Sequence, residues 1–253
     1  MHGEVALLAL SALGIGVLHT ATGPDHYVPF IALARAGRWT LRRTLIVTLL
    51  CGLGHILSSV VIGLCGVAAG IGVSALTPAE DARGHVAAWL LIGFGLLYGA
   101  WGLRRALKPK AHTHHHVHVH DDGAVHDHLH NHLQVHQHMH VAAERFQVHV
   151  AEGESEPVSR TTSAWTLFII FVFGPCEPLI PLVMFPAAKG DYAGMGMVVA
   201  LFGLTTLLTM TTLVLVGVLG LRQLRFGVFE RYSHALAGLI IFLSGGAIEF
   251  LGL

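Results

Sequence analysis

Apolar residues in this chain fall into long runs. Six of these runs are long enough to cross about 30 Å of hydrocarbon as helices; they cover residues 4–34, 43–76, 84–106, 161–188, 192–221 and 228–253. A polar stretch without helical period, residues 107–160, separates the third run from the fourth, and we expect it to be mostly disordered. The pattern predicts an all-α membrane protein with six transmembrane helices.

Two of the six runs are interrupted near their middle by a Gly-Pro pair. The interruptions are Gly23-Pro24 followed by Pro29, and Gly174-Pro175 followed by Pro181. Matching breaks in corresponding helices point to a transporter's binding site near the midplane. Because each half holds three spans, a repeat relating residues 1–106 to residues 161–253 is inverted across the membrane. We therefore predict two inverted three-helix repeats with broken first helices, and two unrelated proline kinks are the alternative.

Composition supports a membrane environment. The chain is 53% hydrophobic and 12% charged, whereas soluble domains have about 25% charged residues. Lys+Arg and Asp+Glu both number 15, so net charge gives no reason to expect a nucleic-acid partner. The start, Met-His-Gly-Glu, has no basic residue, and we therefore expect the first run to be a membrane helix and not a cleavable signal.

Basic residues are distributed very unequally between the two sides of the predicted spans. If the spans alternate in direction, thirteen of the fifteen Lys and Arg residues lie on one side, leaving Arg83 and Lys189 on the other. Basic residues near span ends favour the cytoplasmic side. We therefore expect both termini outside and residues 107–160 in the cytoplasm.

Potential metal ligands recur near the middle of three predicted spans, judged at about 1.5 Å of rise per helical residue. They are His19, Asp25, His26, His55, Cys176 and Glu177. Ionisable residues inside a membrane are costly and are by default candidates for function. Imidazole, carboxylate and thiolate together suit Ni²⁺, Co²⁺ or Zn²⁺ better than Mg²⁺ or Ca²⁺. The sequence therefore predicts a transition-metal site at one depth in the membrane.

Some of these residues have ordinary alternatives. His55 could hydrogen-bond a neighbouring helix, and Cys176 could be a small packing residue. Asp25 is harder to explain in this way, because a carboxylate in hydrocarbon costs roughly 2.5–3.5 kcal/mol even on insertion scales; Glu177 carries the same expectation. Glu249 lies near the end of the last span, where its carboxylate can reach the interface, so we do not expect it to be a ligand.

The polar stretch holds thirteen histidines between positions 112 and 140, largely at alternate positions. The candidate loop ligands are His112, His114, His116, His118, His120, His126, His128, His130, His132, His136, His138 and His140. Such tracts bind transition metals weakly and in interchangeable arrangements. Because the ordinary imidazole pKa is near 6.5, most of these side chains are neutral and can bind metal at cytoplasmic pH. We expect the stretch to capture, buffer or sense cytoplasmic metal; a linker of accidental composition is the alternative.

Residues 19–26 resemble the signature of the nickel/cobalt transporter superfamily, which includes the nickel/cobalt efflux (NicO) and urease-accessory-type membrane proteins. That signature is a His, four residues and then Asp-His, whereas five residues separate His19 from Asp25 here. Gly54-His55 with Ser58 is similar to the family's Gly-His-Ser motif on its second helix. The family's second-half motif is similar to Gly174-Pro175-Cys176-Glu177-Pro178. The resemblance implies a metal site used in transport and a bacterial cytoplasmic membrane.

These features predict a secondary transporter and not an enzyme. The transported substrate is Ni²⁺ or Co²⁺, with Zn²⁺ as a further candidate, and no tightly bound cofactor is expected. Proton-coupled alternating access is the expected mechanism, and export is favoured because the His-rich stretch lies on the cytoplasmic side. The expected partners are the lipid bilayer and the ion, with a homo-oligomer left open. A membrane thiol electron carrier and a non-transporting metal-binding accessory for metalloenzyme maturation are the alternatives.

Overall fold

The computed structural model describes residues 2–70, 72–108, 113–119, 125–131, 160–174, 176–223 and 227–252. The chain divides into two compact units, one formed by Met1–Ala106 with Ser159–Leu253 and the other by Leu107–Val158. The described part of the first unit is entirely helical. This unit contains the two halves, residues 1–106 and 161–253, that the sequence analysis assigned to the membrane.

The first predicted span is broken where the Gly-Pro pair stands. Helix α1 (His2–Thr22) ends before Gly23, a 3₁₀ turn covers Pro24–His26, and helix α2 (Val28–Ala36) follows. The two sides of the break are bent by 82°. Pro24 lacks an N–H to continue the helix, while Pro29 stands in the first turn of α2, where a missing N–H is tolerated. The predicted break is therefore present.

The second and third spans differ from the predicted bounds. Helix α3 (Leu41–Ala68) begins at a Thr40 cap whose side-chain oxygen accepts a hydrogen bond from the backbone N–H of Arg43. It ends near Gly70, whose φ of +66° suits glycine and closes the helix. Helix α4 (Val73–Leu107) then begins well before the predicted residue 84. The long second run was therefore two helix ends joined by a turn, which continuous hydrophobicity could not reveal.

The second half repeats the interruption. Helices α5 (Arg160–Phe173) and α6 (Leu179–Ala188) lie on either side of the Gly-Pro region, and α7 (Tyr192–Gln223) is long and continuous. A 3₁₀ segment (Gly227–Tyr232) leads into α8 (Ser233–Leu251).

Fewer spans are evident than the six predicted. Among the described residues, four helical segments are long and apolar enough to cross a membrane: α3, α4, α7 and Glu230–Leu251. The bent pair α1–α2 makes a fifth if it counts as one span. Helices α5 and α6 are each too short to cross alone, because about 20 residues are needed. The chain is thus a membrane protein with four or five spanning helices by length and composition.

Packing leaves an apolar exterior around a tight interior. Helix α1 lies along α7, α2 against α8, and α3 against α5, α6 and α7. Phe30, Leu167 and Phe202 are completely buried, whereas Leu97 is 75% exposed. Side chains such as Leu97 facing outward suit lipid and not water. The outer surface therefore supports a bilayer environment.

The described part of the His-rich unit contains two paired strands. Strands β1 (Thr113–Val119) and β2 (Val125–Asn131) pair antiparallel. The register sets His114 opposite His130 and His116 opposite His128. Alternating residue character is the period of a strand. The expectation of disorder over the rest of residues 107–160 falls mostly outside the described residues. Six of the predicted loop ligands, His112, His120, His132, His136, His138 and His140, lie outside the described residues.

Candidate metal centre

Three histidines from two separate regions of the chain converge beside the first break. His19 lies in the last turn of α1, His26 in the 3₁₀ turn and His55 in the middle of α3. The ring centroid of His26 lies 4.7 Å from that of His19 and 5.1 Å from that of His55. One ligand nitrogen from each of the three lies within 4.8 Å of the others. This spacing brings the three imidazoles within reach of a single ion.

Three ring nitrogens of His26 and His55 are buried without a hydrogen bond of normal geometry. His26 and His55 are each 3% exposed. Nε2 of His26 and both ring nitrogens of His55 make no hydrogen bond of normal geometry to any residue that the structure describes. Buried polar atoms are nearly always hydrogen-bonded in native proteins. Unpartnered nitrogens facing one another therefore indicate a ligand set.

Asp25 supports the cluster from one side. Oδ1 of Asp25 lies 3.0 Å from Nδ1 of His26, and the carbonyl oxygen of Gly23 lies 3.2 Å from the same nitrogen. Both oxygens accept, so Nδ1 carries the proton and donates, which leaves Nε2 as the lone-pair nitrogen. A carboxylate on the far nitrogen of a ligating His is the usual second partner in metal sites. Asp25 thus orients His26, while it also lines the cavity described below.

Cys176 and Glu177 occupy different positions relative to the cluster. Sγ of Cys176 is fully buried and lies 3.8 Å from Nε2 of His19. The backbone N–H of Cys176 donates to Oγ of Ser59 on α3 at 3.0 Å, which holds this part of the second break against α3. The Glu177 side chain is exposed and lines the same cavity. The group of convergent ligand atoms contains neither Cys176 nor Glu177.

A buried ion pair beside the site was missed by sequence reasoning. Glu80 is 2% exposed and pairs with Arg83 one turn later on α4. Arg83 Nη2 also donates to Oγ of Ser58 at 3.0 Å. Two opposite charges three residues apart, between the second and third apolar runs, were the available signal. The sequence analysis counted Arg83 only as a basic residue on the outer side.

Arg83 also donates hydrogen bonds to backbone carbonyls at the second break, between α5 and α6. Its Nη2 lies 3.1 Å from the carbonyl oxygen of Val172 and 3.3 Å from that of Gly174. Pro178 has no N–H to offer the Gly174 carbonyl, and the N–H of Cys176 is engaged by Ser59. One guanidinium thus satisfies two carbonyls that the helix interruption leaves without backbone donors. The ion pair thereby ties α4 to the break after α5.

A cavity of about 440 Å³ connects the three histidines with one end of the helical unit. Its inner wall includes His19, His26 and His55, and its outer wall includes Asp81 and His85 from α4. Glu249, near the end of α8, also lines it. The sequence analysis expected Glu249 to reach only the interface, and its place on the cavity wall depends on α8 packing against α4.

The cysteines are all free thiols, with Cys51 and Cys176 buried and Cys65 exposed. Cys51 and Cys176 belong to separate apolar clusters.

Comparison of the chain with protein-family models, with curated proteins and with solved structures gives no match. What the site binds is therefore inferred from its own ligand atoms.

Proposed function

We propose that this chain carries a divalent transition-metal ion across the membrane, with Ni²⁺ or Co²⁺ as the substrate and Zn²⁺ as a further candidate. The observation that carries the proposal is the set of three imidazoles, with ligand nitrogens within 4.8 Å, at a broken membrane helix. A helix broken within a membrane is tolerated where it faces protein or a water-filled cavity. Here it faces a cavity of about 440 Å³.

The donor atoms favour a borderline metal. Imidazole suits Zn²⁺, Ni²⁺ and Cu²⁺, while Mg²⁺ and Ca²⁺ prefer shells of oxygen. We propose the thiol of Cys176, which lies 3.8 Å from Nε2 of His19, as a soft fourth donor. The resemblance of residues 19–26 to the nickel/cobalt transporter signature agrees with this preference and narrows it to Ni²⁺ or Co²⁺.

Two inverted three-helix repeats form the proposed architecture, with α1–α2 and α5–α6 as the broken first spans of each half. Both interruptions occur at a Gly-Pro pair; the first supplies His26 to the cluster, and the second brings Sγ of Cys176 to 3.8 Å from Nε2 of His19. In this arrangement α5 and α6 together make the sixth span. Rocking of one half against the other would expose the histidines alternately to each side.

The proposed orientation has both termini outside and the His-rich unit in the cytoplasm of a bacterium. The basic residues at the ends of α2, α4 and α7 support this orientation. Export is the favoured direction, because the histidine tract lies where cytoplasmic metal would be captured. Protons compete with metal for imidazole nitrogens, and proton antiport is the coupling that follows.

Flux through the purified full-length chain in proteoliposomes tests the proposal. Ni²⁺, Co²⁺ and Zn²⁺ are supplied one at a time with a pH gradient of either sign. We expect metal flux that His26→Ala and His55→Ala each abolish. The matched control is His234→Ala, because Nδ1 of His234 bonds the Tyr98 hydroxyl at 2.7 Å and lies outside the cavity lining.

Two results would contradict the proposal. Wild-type chain that binds metal but passes none would favour the metal-binding accessory. Flux that survives both cluster variants would show that the three histidines are not on the ion path.

A further inference from the structure

The cavity opens at the end of the helical unit that lies away from most basic residues. Asp81 stands near the start of α4, whereas Arg104 and Arg105 stand in its last turn. From Asp81 to Arg105 the helix rises roughly 36 Å at 1.5 Å per residue. Glu249 likewise lies at the far end of α8 from Arg231. The histidine cluster therefore communicates with one end, which we call the acidic end.

Apolar side chains separate the cluster from the opposite, basic end. Phe30 follows His26 by one helical turn, is completely buried and packs edge-on against Phe171 with ring centroids 4.8 Å apart. Leu33, one turn further along α2, is 1% exposed. At the basic end, Arg222 donates to the carbonyl oxygen of Trp39 at 3.1 Å. Access to the cluster in this conformation is thus one-sided.

Among the described residues, the charged side chains at the mouth of the cavity are carboxylates, and His85 stands beside one of them. Asp81 and Glu177 are exposed at the mouth. Nδ1 of His85 lies 2.9 Å from Oε2 of Glu249, and the indole N–H of Trp89 donates to Oε1 of Glu249 at 3.2 Å. None of the described residues lining the cavity is Lys or Arg. Carboxylates concentrated in a cleft with apolar walls raise the local concentration of cations.

A second observation concerns the histidines on the inner wall of the cavity. His26 and His55, each 3% exposed, line the inner wall of the same cavity with unpartnered ring nitrogens. A cation at the mouth therefore has a continuous space leading to the buried imidazole nitrogens. The acidic mouth and the buried histidines are therefore the two ends of one cavity.

We propose that the carboxylates of Asp81 and Glu249, with His85 bonded to Glu249, attract cations to the mouth of the cavity, through which the ion passes between the histidine cluster and the acidic end. This inference rests on the proposed transport function and names the path that it uses. The three side chains do not form a convergent ligand group like that of the histidine cluster, so the mouth attracts the ion by charge and does not coordinate it tightly. We call this passage from the mouth to the histidine cluster the relay.

Concentration dependence of Ni²⁺ flux tests the relay. Glu249→Gln keeps the side-chain shape and can still bond His85 and Trp89, but it removes the charge. We expect the initial rate at low Ni²⁺ to fall roughly two- to tenfold and the rate at saturating Ni²⁺ to be unchanged. The matched control is Glu230→Gln at the basic end, where Glu230 pairs with exposed Arg38. Equal rates for Glu249→Gln and wild type at low Ni²⁺ would overturn the relay.

The unmodified protein supplies an independent measurement. Raising the concentration of a non-coordinating salt screens exposed charges, so Ni²⁺ flux at low Ni²⁺ should fall with salt while the saturated rate does not. Flux at low Ni²⁺ that does not change with salt would count against an electrostatic mouth.

Thiol labelling tests one-sided access without relying on flux. Ala87→Cys, on the half-buried cavity wall, is compared with Leu107→Cys, exposed at the basic end, both in a Cys65→Ala background. An impermeant maleimide should label the two cysteines from opposite sides of sealed vesicles, and Ni²⁺ should slow labelling of Ala87→Cys alone. Labelling from the same side, or without Ni²⁺ protection, would refute the path. Because protection requires only binding, this result separates failure of the relay from failure of transport.

Discussion

Nδ1 of His26 lies 3.0 Å from Oδ1 of Asp25, its neighbour in the chain, inside the break of the first membrane helix. Both residues belong to the 3₁₀ turn Pro24–His26 that follows the end of α1. The pair decides the chemistry of the site, because it commits one ring nitrogen of His26 to the carboxylate and frees the other. Asp25 is therefore a positioning group for His26 as well as a negative charge beside the ion.

Asp25→Asn should weaken metal binding at the cluster. The amide can still meet Nδ1 of His26 but can no longer stabilise positive charge on the ring, and loss of such a partner typically costs 10–100-fold in affinity. The Ni²⁺ concentration for half-maximal flux in proteoliposomes should rise by about this factor. Asp191→Asn is the control, because Asp191 accepts from the N–H of Gly194 at the start of α7 and Asn caps helices equally well. An unchanged half-maximal concentration would remove Asp25 from the site.

Cys176→Ser should reveal whether the thiol completes the ligand set. Sγ lies 3.8 Å from Nε2 of His19, close enough for both to reach one ion. Replacing soft sulfur by oxygen should lower Co²⁺ affinity on the order of tenfold, or about 1.4 kcal/mol. Thiolate-to-metal absorption of the Co²⁺-loaded protein should disappear in Cys176→Ser and persist in Cys51→Ser. Absorption that is the same in both variants would show that sulfur does not bind the ion.

Gly238→Ala should separate α4 from α8 and deform the cavity. A methyl group at Gly238 would clash with the backbone of Gly99 and lie 2.7 Å from the carbonyl oxygen of Gly95. Overpacking of this kind costs about 1–3 kcal/mol. We expect a lower melting temperature in detergent and a reduced flux rate, because both helices wall the cavity. Gly246→Ala on the same helix has open space around it and should change neither.

Arg83→Met should destabilise the fold more than the loss of one surface charge. Glu80 is 2% exposed, and removing one partner of a buried pair typically costs about 3–5 kcal/mol because the other charge stays buried. The two carbonyls at the second break also lose their donor. In detergent, Arg83→Met should lower the melting temperature strongly, and adding Glu80→Gln should restore part of the decrease. The exposed variant Arg104→Ala should change the melting temperature little. Equal melting temperatures for the two arginine variants would mean that the pair adds no stability.

Several features of this protein follow from the order of its residues. Long apolar runs with few charges predict membrane helices because hydrocarbon excludes unpaired polar groups. Pro24 and the prolines of the second half predict broken helices because proline lacks a backbone donor. Histidines at alternate positions carry the period of a strand, and within the described residues Thr113–Val119 and Val125–Asn131 form paired strands.

Tertiary structure decided which candidate ligands meet. His19, Asp25 and His26 are close in the chain, but His55 joins them only because α3 turns that face inward. Cys176 and Glu177 are neighbours in sequence, yet the second break buries the thiol and leaves the carboxylate exposed. The reason is physical: sequence spacing sets which side chains share a face of one helix, whereas the rotation and packing of separate helices set which faces meet. The same packing placed Asp81, His85 and Glu249 around one cavity mouth, which no local pattern contained.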